Sequence, residues 1–181
     1  MPRRDLSSIE PYDKKSESWR AIVETPKASP HKYDYEPKFD CFCLAKTLPE
    51  GMTFPFDFGF IPGTLADDGD PLDILVLLDF PAASGIMVKI RLVGDIRAEQ
   101  KEKNEPWERN DRLIGVAQHS RSLADIKSLD DLRPGMLDEV AEFFTQYNRL
   151  DGKAFRAAGT CDAKEAEAMV RKAIKAFEKD D

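Results

Sequence analysis

The most constraining stretch of this sequence is an acidic turn that leads directly into a continuous apolar run. Asp68, Asp70 and Asp73 fall within six residues, with a glycine and a proline between them. Carboxylates this close repel one another, so each resists ionisation unless a cation compensates their charge, and their oxygens suit Mg²⁺. Residues 74–78 form an apolar run of strand length, which would hold the carboxylates on a rigid, buried element. The sequence therefore predicts a Mg²⁺ site at the start of a buried strand.

An ordinary solvated turn is the alternative interpretation, because Asp, Gly and Pro are the usual turn residues. The calcium-binding loop of EF-hand proteins does not fit, since residues 67–79 lack its spacing of acidic residues, Gly and Glu.

Composition narrows the class of protein. A chain of 181 residues is long enough for one domain with a full core, and 41% hydrophobic with 34% charged residues is typical of a soluble globular protein. The net charge of −7 disfavours nucleic acid or an anionic membrane as a partner. No apolar run approaches the ~20 residues of a membrane span, and no apolar signal core follows the first residues. We therefore expect a cytoplasmic location.

The pattern along the chain predicts one domain of the α+β class. Residues 1–18 are polar and weakly periodic, so we expect a flexible arm or a strap over a domain of residues 19–181. Strand patterns fill the first two thirds of that domain. The last third is helical, with apolar faces at 3.6-residue spacing in residues 135–150 and from about Asp162 to Glu178.

Three cysteines, Cys41, Cys43 and Cys161, cannot all pair within one chain, which favours reduced thiols. Cys41 and Cys43 alternate with apolar residues in a predicted strand, so their thiols would share one face. Without another Cys or His close by in the sequence, structural burial is preferred to a metal site.

The acidic turn resembles the signature of soluble family I inorganic pyrophosphatases, D-G-D-P-(apolar)-D-(apolar). As in that family, a run of aromatic residues, Gly and Ile precedes it at residues 58–61. The resemblance extends from about Trp19 to the C-terminal helix and indicates a divergent member. It implies a closed five-stranded antiparallel β-barrel of the OB type, flanked by two main helices. It also implies Mg²⁺-dependent hydrolysis of pyrophosphate in a homo-oligomer, with a hexamer favoured because bacterial members form hexamers.

The resemblance also implies a role for individual residues. The implied metal ligands are Glu24, Asp68, Asp70, Asp73, Glu105 and Asn110. Among these, Asp70 is implied to be catalytic, because it would orient or deprotonate the attacking water. The implied pyrophosphate-binding residues are Lys32, Lys46, Arg112 and Tyr147.

Departures from the family concentrate in a hairpin that the family writes as D-x4-D-x-K. In that frame the three positions are Glu105, Asn110 and Arg112, so a neutral amide replaces one carboxylate. Asp111 could substitute if the turn slips by one residue. Lys46 stands where the family usually has Arg, and it lacks the planar fork that grips two phosphate oxygens.

Two other functions therefore stay open at this point. One is a catalytically weakened pyrophosphatase-like domain that binds a phosphorylated ligand or a partner protein, which a loss of Mg²⁺ binding would favour. The other is a hydrolase of an organic diphosphate, which faster turnover of a nucleotide or prenyl diphosphate would favour.

Overall fold

The computed structural model describes residues 5–180, which form a large sheet, a small two-stranded sheet and two α-helices. The strands are β1 (Tyr12–Asp13), β2 (Ser18–Thr25), β3 (His31–Glu36), β4 (Cys41–Thr47), β5 (Asp57–Phe60), β6 (Asp73–Leu77), β7 (Met87–Lys101), β8 (Glu108–Arg109), β9 (Arg112–Ala117) and β10 (Ala154–Asp162). The helices are α1 (Met136–Leu150) and α2 (Ala163–Asp180). The predicted α+β class with two main helices is confirmed. Within residues 5–180, neither helix has the length and apolar character that a membrane crossing requires.

The pairing of strands in the large sheet returns to its starting point. It runs from β2 through β5, β6 and β9 to β7, and β7 also pairs with β2. Four of these five pairs are antiparallel, but residues Ile74 to Leu77 of β6 run parallel to Leu113 to Val116 of β9. The prediction of an entirely antiparallel set is therefore wrong at this pair. The two strands are not joined by a hairpin, since β7 and β8 intervene and form the longer connection that a parallel pair requires.

Strand β7 is the longest, with 15 residues, and it closes the ring of strands by pairing with both β9 and β2. Its first part pairs with β2, where Trp19 faces Ile90, and its later part pairs with β10. At Gly94 the register with β9 shifts and φ is +151°. A Cβ atom there would lie 2.4 Å from the carbonyl oxygen of Cys161, so only glycine permits β10 to approach this closely.

Each helix packs on the large sheet through one apolar face. The buried side chains Val140 and Phe144 of α1 pack with Phe58 in one core cluster. The buried side chains Ala166 and Val170 of α2 belong to a second cluster. Burial of these faces on a common sheet brings the start of β6, the end of α1 and one side of α2 around the same cavity.

Residues 5–18 contact the body of the protein. The backbone N–H of Gly63 donates to the carbonyl oxygen of Ser7 at 2.6 Å, and Lys89 forms an ion pair with Asp13 at 2.6 Å. Residues 1–4 lie outside the described part of the chain. The division between an arm of residues 1–18 and a domain of residues 19–181 stays a prediction.

Strands β3 and β4 form a separate two-stranded sheet, which we call the β3–β4 hairpin. One of its faces packs inward, where the Tyr35 and Phe42 rings lie 5.3 Å apart beside the core. The opposite face carries Cys41, which is exposed, and Cys43, which is half-buried. Burial of both thiols was the preferred interpretation of the sequence and is wrong, because the hairpin packs on the core through Tyr35 and Phe42, which lie on its other face. Only Cys161 is buried.

Candidate active site

The acidic turn is held in place by a buried threonine and by its own backbone. Thr64 is 1% exposed, and its hydroxyl accepts a hydrogen bond from the backbone N–H of Leu72 at 3.0 Å. The N–H of Ala66 donates to the carbonyl oxygen of Asp70 at 2.7 Å, which closes the turn. Gly69 has φ +90°, a conformation that glycine adopts without strain. The carboxylates thus extend from a well-defined backbone into strand β6.

A cavity of about 600 Å³ opens beside this turn, between the β7–β9 hairpin and the two helices. Seven of the ten predicted site residues line it: Lys32, Asp68, Asp70, Asp73, Asn110, Arg112 and Tyr147. Glu24, Lys46 and Glu105 do not line it. Anionic and cationic side chains therefore share one concave surface, as a site for a cation and a phosphorylated anion requires.

Two carboxylates of the turn, Asp70 and Asp73, have pKa values above the ordinary value. Desolvation raises the pKa of Asp70 above its ordinary value, and the negative charge of Asp68 adds to the effect. For Asp73, 32% of the side chain is exposed toward the cavity, yet desolvation raises its pKa despite the opposing attraction of Arg112. Negative charge in this part of the cavity is therefore incompletely compensated by the protein.

Arg112 forms an ion pair with the acidic turn. It is 5% exposed, and its guanidinium lies 2.7 Å from the Asp73 carboxylate and 4.9 Å from the centre of the Phe144 ring. The same guanidinium donates to the side-chain oxygen of Asn110, and its Nε–H is buried without a partner among the described residues. Packing of the aromatic ring and several polar contacts thus orient one charged fork toward the cavity.

Two lysines lie near the opposite wall, each paired with a carboxylate. Desolvation lowers the pKa of Lys32, but the attraction of Asp34 outweighs it and leaves that pKa above its ordinary value. Lys46 pairs with Asp151 and lies 3.6 Å from the centre of the Tyr147 ring. Desolvation raises the pKa of Tyr147 to about 12, so its hydroxyl remains a hydrogen-bond donor at neutral pH.

Glu24 lies behind the cavity wall, and only 8% of it is exposed. Its carboxyl group accepts a hydrogen bond from the backbone N–H of Tyr35 at 2.7 Å. Desolvation raises the pKa of Glu24 to about 8, and the negative charges of Asp34 and Asp73 contribute to the rise. The electrostatic effects of Asp73 and Lys32, which both line the cavity, place Glu24 at the edge of the candidate site.

Comparison with known proteins agrees with this geometry. A family model described as inorganic pyrophosphatase matches residues 21–178. An inorganic pyrophosphatase from a Nostoc strain is 35% identical over 96% of this chain and 99% of that protein. The crystal structure of inorganic pyrophosphatase from Thermus thermophilus has a TM-score of 0.88 at 34% identity and covers 97% of this chain and 99% of that one.

The chain belongs to the inorganic pyrophosphatase family. A structure from Anaplasma phagocytophilum, titled inorganic phosphatase, is also similar, with a TM-score of 0.85 at 28% identity over 94% of this chain. The resemblance carried by the acidic turn is therefore confirmed over nearly the whole sequence.

Pyrophosphatases of this family depend on metal ions. In this chain the carboxylates of the acidic turn supply hard oxygen donors, and the raised pKa values of Asp70 and Asp73 indicate negative charge that a bound cation would relieve. Within residues 5–180, no three acidic, His or Cys side chains already surround a common point. The donor chemistry fits a divalent cation, whose entry would draw Asp68, Asp70 and Asp73 together and compete with Arg112 for Asp73.

The family hairpin D-x4-D-x-K is only partly reproduced by the geometry. Asn110 and Arg112 line the cavity, whereas Glu105 lies in an exposed turn outside it. Gln100, near the end of β7, lines the cavity on this side. Asp111 also lines the cavity, but its carboxylate already accepts a hydrogen bond from the backbone N–H of Ala98 at 3.0 Å.

Several cavity residues have no signal in the sequence analysis. They are Arg97, Gln100, Arg109 and Asp151. Arg97 and Gln100 belong to the long strand β7, whose alternating pattern gave no sign that part of it faces a site. Lys153, which the cavity also includes, is paired with Glu102 at 2.8 Å. The cationic groups of this cavity are thus more numerous than the sequence pattern indicates.

Proposed function

We propose that this protein hydrolyses inorganic pyrophosphate to two phosphates in a Mg²⁺-dependent reaction. The observation that carries the proposal is that the acidic turn of a pyrophosphatase-family chain shares one cavity with Lys32, Arg112 and Tyr147. Such a cavity can bind a metal on its acidic side and an anionic substrate between the metal and the cations.

The acidic turn would hold Mg²⁺ through Asp68, Asp70 and Asp73. Bound Mg²⁺ supplies charge neutralisation on the phosphates and acidifies a coordinated water. The family resemblance makes Asp70 the residue we expect to accept the proton of the attacking water, and its carboxylate lines the cavity beside Asp68 and Asp73. Glu24 lies farther back, where it would support a further ion that enters with the substrate.

The cationic side chains would bind the two phosphates. Arg112 can direct its guanidinium to two oxygens at once, because the Phe144 ring and Asn110 already orient it. Lys32 would stabilise the charge that develops on the leaving phosphate, and the Tyr147 hydroxyl would donate a hydrogen bond. Lys46 could contact phosphate directly only by leaving Asp151.

The number of metal ions that the site holds depends on the β7–β9 hairpin, at Gln100, Glu105 and Asn110. A family carboxylate at the first hairpin position has no counterpart in the cavity, because Glu105 is outside it and Gln100 is neutral. Asn110 offers a neutral oxygen in place of the second. We therefore propose fewer or weaker metal sites than the family hairpin would provide.

The proposal also includes the architecture of the large sheet. The closed ring of strand pairs supports a five-stranded barrel of the OB type, with one parallel pair, and with the cavity at its mouth.

The protein surface supports a homo-oligomer. Three large apolar side chains are 81%, 49% and 44% exposed, namely Phe80, Ile86 and Met87. The family resemblance favours a hexamer. A monomeric mass in light scattering would contradict the oligomer. The cytoplasmic location stays a prediction.

Phosphate release from pyrophosphate, measured with Mg²⁺ and with a chelator, tests the function. We expect chelation to reduce the rate at least ~10²-fold, because a bound metal supplies several kcal/mol of transition-state stabilisation. A nucleoside diphosphate and a prenyl diphosphate should be hydrolysed more slowly than pyrophosphate. Faster turnover of either would favour the organic diphosphate hydrolase, and pyrophosphate binding without phosphate release would favour the weakened, ligand-binding domain.

Replacing Asn110 with Asp should restore an anionic ligand to the cavity. For Asn110→Asp we expect the Mg²⁺ concentration at half-maximal activity to fall about tenfold, because cation affinity follows the number of charged ligands. Asn104→Asp is a matched control, since Asn104 lies in the exposed turn outside the cavity and gains the same charge. An equal shift in both variants would mean that net charge, rather than coordination at position 110, changes the affinity.

A further inference from the structure

The exposed face of the β3–β4 hairpin carries two thiols in close proximity. Cys41 and Cys43 are two residues apart on β4, so their side chains point the same way, and their sulfur atoms are 3.8 Å apart. Neither thiol is buried, and neither belongs to the cavity described above. The proposed hydrolysis uses neither of them.

We propose that Cys41 and Cys43 form a bidentate site for a thiophilic divalent cation such as Zn²⁺ or Cd²⁺, separate from the Mg²⁺ site. A tetrahedral Zn²⁺ ion binds thiolate sulfur at ~2.3 Å, which places two ligating sulfurs ~3.8 Å apart. The observed sulfur separation matches that edge of the tetrahedron. The pair therefore needs little rearrangement to chelate such an ion.

Carboxylates from the neighbouring strand face the same two thiols. Asp34 lies directly opposite Cys43 and Glu36 directly opposite Cys41 in the antiparallel register, and side chains opposite each other share a face. Glu36 is exposed and has no ion pair among the described residues, so its oxygen is available as a third ligand. Glu36 would have to turn toward the sulfurs to join them, because no three His, Cys, Asp or Glu side chains surround a common point in residues 5–180, and water would supply the remaining ligands.

The chemistry of the ligands separates this site from the cavity. Thiolates are soft ligands that prefer Zn²⁺, Cd²⁺ or Cu⁺, whereas the carboxylates of the acidic turn prefer Mg²⁺. A thiol must lose its proton to ligate a cation, so we expect the affinity for Zn²⁺ or Cd²⁺ to increase with pH.

A disulfide between the two residues is the competing chemistry, and strand geometry opposes it. Residues i and i+2 of a strand have Cα atoms about 6.6 to 6.8 Å apart. That separation is at the upper limit of the range found in disulfides, about 4.4 to 6.8 Å. Closing the bond would require the strand to buckle, whereas a cation spans the existing gap between the sulfurs.

The hairpin connects this site to the cavity through one residue. Asp34 faces Cys43 and also pairs with Lys32, which lines the cavity. A cation held by the thiols would attract the Asp34 carboxylate and weaken its interaction with Lys32. If the proposed hydrolysis is correct, occupancy of the thiols would then alter phosphate binding, but the binding site itself does not depend on that function.

Titration of the reduced, metal-free protein with Cd²⁺ tests the proposal. Excess Mg²⁺ is present to occupy the acidic cavity, and the readout is the ultraviolet thiolate-to-cadmium charge-transfer band, which carboxylates do not produce. We expect one Cd²⁺ per chain. Cys41→Ser and Cys43→Ser should each weaken binding at least ~10-fold, because either change removes one arm of the chelate.

Cys161→Ser is the matched control, because it removes one thiol that is buried away from the hairpin. We expect it to leave the charge-transfer band and its affinity unchanged. An unchanged band in the Cys41→Ser/Cys43→Ser double variant would overturn the proposal. Binding of half an equivalent of Cd²⁺ per chain, together with a doubling of the molecular mass relative to the metal-free protein, would also overturn it, since the ion would then bridge two chains. Persistence of a Cys41–Cys43 disulfide in a glutathione buffer would also overturn it.

Discussion

Asp70→Asn should lower Mg²⁺-dependent phosphate release from pyrophosphate about 10³-fold, within the range expected when a general base is lost. The substitution preserves the shape of the side chain but removes both the proton acceptor and one anionic oxygen for the metal. The fold should be unaffected, because within residues 5–180 no hydrogen-bond donor contacts the Asp70 carboxylate. Its backbone N–H, which donates to Asp68 at 3.2 Å, is retained.

The measurement is the initial rate at saturating Mg²⁺, with thermal unfolding of both proteins as a check on folding. Asp67→Asn provides the matched control, because Asp67 lines the cavity in the same turn and loses the same charge. We expect the control to retain activity within about threefold, as for a charge change that leaves the machinery intact. Retention of a tenth or more of the activity in Asp70→Asn would remove Asp70 from the catalytic role.

Glu24→Gln should make the metal-free protein more stable at alkaline pH. The folded protein keeps a proton on Glu24 up to about pH 8, whereas in the unfolded chain the group follows the ordinary value of 4.5. The folded state therefore binds more protons between these two pKa values, so the free energy of unfolding decreases as pH rises from 4.5 to about 8. Glutamine cannot ionise, and its side-chain oxygen can still accept the hydrogen bond from Tyr35.

Urea unfolding at pH 5 and at pH 9, with a chelator present, measures this effect. We expect the free energy of unfolding of Glu24→Gln, relative to the unmodified protein, to be higher by roughly 3 kcal/mol at pH 9 than at pH 5. Glu50→Gln is the control, because Glu50 is exposed, and its difference should stay nearly constant. If the Glu24→Gln difference is also constant, Glu24 is ionised in the folded protein across this range.

The sequence predicts those parts of the site that depend only on residues close together along the chain. The carboxylates of the acidic turn and the strand after it follow from spacing within a dozen residues, and the faces of α1 and α2 follow from helical periodicity. Lys32 and Tyr147 could be assigned only through the family resemblance. Alone, each is an ordinary surface or core side chain.

Contacts between distant segments account for what was missed. The ion pair between Arg112 and Asp73 depends on the parallel pairing of β6 with β9, for which neither strand carries a local signal. Strand β10 has no counterpart among the predicted strands, because most of its residues are exposed and show little alternation. Glu105 lies in the exposed turn between β7 and β8, outside the cavity. Cys41 is exposed because Tyr35 and Phe42, on the other face of the β3–β4 hairpin, are the residues that pack inward. Neither placement has a signal in the local sequence.

The long strand β7 also determines when during protein synthesis the site can exist. β7 pairs with β2, which precedes it by many residues, and with β10, which lies near the C-terminal end of the sequence. Pairings so distant in sequence form slowly, and a growing chain cannot make them until both partners have left the ribosome. Asp73 therefore emerges well before Arg112, and Tyr147 follows later still. A nascent chain that has not yet exposed α1 carries the acidic turn without its cationic wall, so substrate binding becomes possible only after residues 112–147 have left the ribosome.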